Sequence, residues 1–319
     1  MNRSSSSPDS ASALSDHRAI STATVFFAYL AAIALYRPSF FSGTNLSSLL
    51  YYACLLAPAV LGAQMLMVLG LFDLSAGAVA AVSGVVAAQA MISGYTIPLA
   101  ILIALVCGLA FGLVNWLLVS RLRLPALIGT LITAGVAKAV ALGISNGVVV
   151  GGLPLQLDVL ALGGTPIRYA VMFGVLLCML AEVASRYHVV FRRMYQTGDN
   201  REAAEMSGIN VKCLELTGFL LASGGAAMVG ILQISRTLSA SPTIFNDLAL
   251  EVIAACVIGG TSVRGGKGWP IGAFLGMMVI VASRNLAVQS GVDIFWRDLA
   301  IALVVLASAL LTRDDKKLL

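Results

Sequence analysis

Long apolar runs separated by short polar stretches set the rhythm of this chain. After a Ser-rich opening over 1–18, the runs fall at 19–36, 49–71, 76–93, 96–119, 125–145, 168–185, 213–233, 249–260, 269–289 and 297–311. A ~30 Å hydrocarbon core takes about 20 residues of helix to cross, and most of these runs are that long. The pattern therefore predicts an all-α, polytopic membrane protein of about ten transmembrane helices (eight to ten), with both termini on one side. The shortest run, 249–260, passes directly into Gly259–Gly268 (GGTSVRGGKG), so a broken or re-entrant helix is expected there. The run 19–36 is long for a signal-peptide core and lacks a small-residue cleavage site, which makes it an uncleaved first span.

Composition supports the membrane as solvent. Hydrophobic residues make up 59% of the 319 residues and charged residues 11%, against roughly 25% charged in soluble domains. One globular core cannot hide that much apolar surface, whereas lipid lets it face outward. The 31 glycines suit closely packed helices. Two small-residue spacings lie within spans, Gly108 with Gly112 and Gly272 with Gly276, and either is a candidate helix contact.

Charge placement then gives orientation. With the N-terminus inside, the inner segments hold Arg3 and Arg18, Arg121 and Arg123, Arg186, Arg192, Arg193, Arg201 and Lys212, Arg264 and Lys267, and Arg313, Lys316 and Lys317. The outer loops hold only Arg37, Arg168 and Arg236. Basic residues concentrate on the cytoplasmic side of membrane proteins, so both termini are expected to be cytoplasmic. On this reading 1–18 is a flexible cytoplasmic tail, 19–312 the transmembrane domain with a cytoplasmic loop at 186–212, and 313–319 a second tail. The basic residues serve orientation, and no nucleic acid is implied.

Chemistry is scarce. The five cysteines sit in apolar runs without CxxC spacing, and only His17 and His188 are present, so no zinc site can be assembled. There is no GxSxG and no HExxH. The Gly-rich stretch near Lys267 fails as a phosphate loop, because Thr261 and Gly268 stand where Gly and a hydroxyl are required. The chain is therefore not expected to be an enzyme, and it carries no cofactor of its own.

The loop 186–212 is the longest inner segment and reads as helical in its middle. Asn200 is a candidate N-cap, Glu202 and Glu205 fall where the helix dipole favours acids, and Gly208 is a candidate C-cap. Its stretch Gly198-Asp199-Asn200-Arg201-Glu202-Ala203-Ala204-Glu205-Met206-Ser207-Gly208-Ile209-Asn210-Val211 resembles the coupling segment of ribose-type (monosaccharide) ABC transporter permeases. Two further stretches are similar to that family in the same order. Gly70-Leu71-Phe72-Asp73-Leu74-Ser75-Ala76-Gly77 resembles its Gly-Ile-Asp-Leu-Ser-Val-Gly, with Leu71-Phe72 departing from it. Ile253–Ser262 with Gly265-Gly266-Lys267-Gly268 resembles its Ala-Ala-Val-Val-Leu-Gly-Gly-Thr-Ser and following loop.

The resemblance implies a permease subunit of a bacterial ABC importer in the inner membrane, carrying a monosaccharide or sugar-like solute inward. It implies a second permease subunit, identical or paralogous, a periplasmic solute-binding protein, and cytoplasmic ATPase subunits that bind the ATP. Asn200, Arg201, Glu202, Ala203, Ala204, Glu205, Ser207 and Gly208 would form the ATPase-coupling helix. Candidate pathway or structural residues are Asp73, Lys138, Glu251, Asn146, Gln233 and Asn285, with Gln64, Asn115 and Thr133 as further lining groups. Asp73 can cap the span that starts near Ala76. Lys138 lies deep in its span and requires a partner or water, and Glu251 is one candidate partner. Arg284 is expected to snorkel. The alternative reading is an ion-coupled secondary transporter using Asp73, Lys138 and Glu251.

Overall fold

The computed structural model describes residues 27, 29, 31, 33, 37–160 and 169–291. Apart from 27, 29, 31 and 33, the expected first span lies outside them, as do the expected last span and both terminal tails. Among the described residues the regular structure is helical, apart from one isolated bridge between Val150 and Ala240. The helices are α1 (Gly43–Val68), α2 (Ala76–Ile92), α3 (Ile97–Trp116), α4 (Ala126–Ser145), α5 (Tyr169–Tyr187), α6 (Val189–Asp199), α7 (Arg201–Met206), α8 (Val211–Thr237), α9 (Leu248–Ile258) and α10 (Pro270–Gln289). A π-helical turn, Leu117–Arg121, extends α3.

Six of these are long and apolar enough to cross a membrane: α1, α3 with its extension, α4, α5, α8 and α10. The two shorter apolar helices are α2 and α9. At 1.5 Å per residue the 11 residues of α9 rise only about 16 Å, so this helix does not cross by itself. The sequence pattern had singled out this run for its shortness.

Burial separates two kinds of helix. The most apolar stretches of α1 and α8 are each 67% buried, and the two pack together along the middle of the bundle. The α3, α4 and α5 stretches are only 22–28% buried, with Leu102, Val106, Ile132, Val136, Met179 and Leu180 exposed. Exposed aliphatic faces of this length belong against lipid. Close approach at the centre depends on absent side chains. A Cβ on Gly225 would overlap the Pro58 carbonyl of α1, and one on Gly62 would overlap the Leu221 carbonyl of α8. Both candidate small-residue pairs are helix contacts as well. Gly108 and Gly112 lie against α8, at Ala227 and Phe219, and Gly272 and Gly276 lie against α9, at Gly259 and Ala255.

Candidate functional site: a capped helix at one end and a polar cleft at the other

The segment between α5 and α8 folds as two short helices. His188 opens α6, its Nδ1 accepting from the Val190 N–H at 3.3 Å. Val190, Phe191, Met194 and Tyr195 repeat at helical spacing and pack with Met65, Val68 and Leu214 at the ends of α1 and α8. Burial also pushes the Tyr195 phenol above its ordinary value, only partly offset by the Gln64 side chain. Sequence reasoning placed a helix in the middle of this loop but missed α6. Its signal was that spacing of apolar residues, interrupted by Arg192 and Arg193.

Asn200 separates the two helices and caps the second, its Oδ1 accepting from the Ala203 N–H at 3.0 Å. At the other end Ile209 N–H bonds Ala204 O at 3.1 Å and Gly208 N–H bonds Glu205 O at 3.0 Å, with Gly208 at φ 77°. That pair of bonds is a Schellman closure, and a left-handed residue without a Cβ satisfies it at least cost. So α7 is six residues long and closed at both ends by its own sequence. Ala204 is buried against the bundle, whereas Glu202, Ala203 and Ser207 are exposed and Met206 is 88% exposed. Arg201 turns back to the bundle. Its Nη1 bonds Glu215 Oε1 on α8 at 2.6 Å, and its Nε bonds Glu205 at 3.3 Å.

The approach to α7 is held by main chain. The Gly266 N–H donates to Val68 O at 2.8 Å. A side chain on Gly198 would strike that same carbonyl. The end of α6, the end of α1 and the Gly-rich loop after α9 therefore meet without side chains between them. Glu182, which the sequence did not mark, ties in α10: its Oε2 accepts from the Ile271 N–H at 3.3 Å while its Oε1 pairs with Arg186 at 2.7 Å.

Asp73 lies in the connection before α2 and is 4% exposed. Its Oδ1 accepts from the Ser75 N–H at 2.7 Å and Ser75 Oγ at 2.5 Å, and Asn115 Nδ2 donates to Ser75 Oγ at 2.8 Å. Asp73 thus holds the residue that begins α2 rather than the first turn's own N–H groups. Asn115 joins α3 to the same cluster. Gln64 reaches Tyr195 at 3.4 Å, and Thr133 bonds back to Gly129 O at 3.2 Å within α4. These three polar side chains are buried between elements.

The remaining candidates divide. Lys138 and Glu251 do not meet. Lys138 Nζ donates to Asn246 Oδ1 at 3.4 Å beside a cavity of about 310 Å³ lined by Gly77, Ala81 and Phe245. Glu251 forms an ion pair with Arg284 on α10, so Arg284 is tied to an acid inside the bundle, where snorkelling had been expected. The reason is helix rotation: α9 presents Glu251 to α10, and α4 runs on the other side of α2. Asn146 ends α4 at φ 50° and is exposed. Gln233, Glu251 and Asn285 come together in a cleft of about 580 Å³ with an adjoining recess of about 80 Å³. Arg236, Asp247 and Tyr52 complete its polar wall. Sequence reasoning did not single out Asp247. It sits at the end of a 238–247 connection with no periodicity, which folds back until Phe245 O lies against Gly77. The cleft opens at the end of the bundle away from α7, since it is built from the start of α1, the end of α8, the start of α9 and the end of α10. Among the described residues no group of three or more His, Cys, Asp or Glu could hold a metal ion.

Comparison with known proteins adds independent findings. Residues 45–310 match the family model described as "Branched-chain amino acid transport system / permease component". The chain is 35% identical over 260 residues to the "Probable ABC transporter permease protein y4mJ" of Sinorhizobium fredii, covering 80% of this chain and 77% of that one. It is 33% identical over 289 residues to the "Autoinducer 2 import system permease protein LsrC" of Enterobacter sp., covering 88% and 83%. The protein of the same description from Yersinia pseudotuberculosis is 30% identical over 272 residues, covering 84% and 77%. No solved structure matches the chain.

Proposed function

The chain belongs to the ABC transporter permease family described as the branched-chain amino acid transport system / permease component, and on that footing we propose that it imports a sugar-like solute through the inner membrane of a bacterium. Relatives described as permeases of autoinducer 2 import support that solute class over an amino acid. With α9 and the 238–247 connection that folds back before it taken as one crossing, the bundle has ten spans, six long and two short helices plus the apolar runs at 19–36 and 297–311, with both termini on the α7 side, where most basic residues lie.

Energy enters at α7. The observation that carries this is a six-residue helix, capped at both ends, whose exposed face ends in a Met side chain left 88% in solvent. Ala204 and Arg201 hold one face of this short helix on the bundle and leave the other in water. A partner groove gives the arrangement a purpose. A cytoplasmic ATPase takes that place, and Arg201–Glu215 together with the Gly198–Val68–Gly266 junction carry its motion to α8, α1 and the loop after α9.

A second permease subunit completes the pathway. Lys138 lies twelve residues into a 20-residue span and is exposed. An ammonium against lipid at that depth costs roughly 3 kcal/mol, so this face borders water or a partner chain. Delivery of solute by a periplasmic binding protein to the cleft end matches the placement of α7 at the opposite end. Substituting Glu202→Arg on the exposed face of α7 is expected to abolish ATP-driven uptake while insertion and the size-exclusion profile stay normal. Uptake at the wild-type rate would defeat the docking assignment.

A further inference from the structure

The cleft contains polar groups whose capacity its own contacts do not use. Gln233 is 5% exposed, and its Oε1 has no partner among the described residues. It faces the inner recess, beside Phe245 and Leu248. Asp247 lines both the recess and the main cleft, yet its carboxylate makes no cap bond and no ion pair among the described residues. The Arg236 guanidinium lies over the rings of Tyr52 at 4.5 Å and Tyr51 at 5.6 Å. Stacking holds it by its face and leaves its edge N–H donors unspent. Arg284 is already neutralised by Glu251.

We propose that this cleft is a solute subsite for a small uncharged polyhydroxy compound, with Gln233 and Asp247 accepting from its hydroxyls and Arg236 donating to them. The proposal deepens the importer reading and rests on it. The cavity, about 580 Å³, lies within the ~300–1,000 Å³ range of small-molecule sites. Among the described lining residues two arginines face two carboxylates, so these four groups sum to no net charge with which to attract a free anion or cation. A hydroxyl both donates and accepts, so a polyol meets both kinds of open group. The two open acceptors lie at different depths, which suits donors spread along a ligand. A zwitterionic amino acid concentrates its donors in one ammonium and would leave the deep Gln233 acceptor unmet. Leu49, Leu56, Ile280 and Val281 supply the aliphatic wall for C–H faces.

The test uses the full-length permease alone in nanodiscs, by equilibrium binding of tritiated D-ribose and ribitol, with L-leucine and ribose 5-phosphate as charged counterparts. At least one neutral probe is expected to bind at millimolar concentration. Asp247→Asn and Gln233→Met should each weaken it at least tenfold, and Tyr95→Phe on the exposed turn after α2 should leave it unchanged. Asp247→Asn removes no cap bond and no ion pair among the described residues, so loss of binding in that variant is not loss of fold. The proposal is overturned if neither neutral probe binds, if leucine or the phosphate binds more tightly, or if both cleft variants bind as wild type. No ATPase is present in this assay. Binding here together with normal uptake by Glu202→Arg would sink the coupling assignment and leave the subsite standing.

Discussion

Arg201 offers the sharpest quantitative test of how α7 is held. Its side chain is half exposed (52%), whereas the Glu215 side chain is 4% exposed and has Arg201 as its only ion-pair partner among the described residues. Removing one member of a buried pair costs about 3–5 kcal/mol, and an exposed pair is worth about 0–1 kcal/mol. With one partner in water, Arg201→Met falls between these limits, at about 2 kcal/mol. If that energy holds α7 against the end of α8, the undocked population rises about 30-fold. Hydrogen exchange in nanodiscs reads this directly as a similar loss of protection at the amides of 203–209. The control is Glu205→Gln, which removes the more solvated 3.3 Å pair and should change protection no more than about twofold. Unchanged protection in Arg201→Met, or an equal loss in Glu205→Gln, would refute the claim that the buried Glu215 anchors the helix.

Other outcomes follow from the same geometry. Gly208→Val forces a β-branched residue into the left-handed region at φ 77° and should cost the α7 closure roughly 1–2 kcal/mol, read as reduced ATP-coupled uptake at normal membrane yield. Lys138→Cys should react with a membrane-impermeant thiol reagent when the pathway opens to water, and a cysteine at the lipid-facing Val106 should not.

The bundle was legible because lipid makes each span a long apolar run. The expected 125–145 and 168–185 correspond to Ala126–Ser145 and Tyr169–Tyr187, and 96–119 to Ile97–Arg121. The caps at Asn200 and Gly208 were legible for a different reason: they are local, decided within six residues. What escaped depends on rotation and tertiary contact. The choice of Arg284 rather than Lys138 as partner of Glu251 follows from which face α9 turns to α10, and a uniformly apolar helix carries no periodicity to reveal that face. The α6 helix hid behind Arg192 and Arg193. The fold-back of 238–247, which places Asp247 at the cleft, is a run of turns without pattern, set by Phe245 meeting the bare backbone at Gly77.

The central claim is that this chain is a passive pathway driven by a separate ATPase acting at α7. The most direct measurement is uptake into proteoliposomes containing the permease subunits, a partner ATPase and a solute-binding protein. Uptake that requires ATP, stops with vanadate and is lost in Glu202→Arg is the predicted result. Uptake by the permease without the ATPase, driven by a proton or sodium gradient and insensitive to vanadate, would contradict the account.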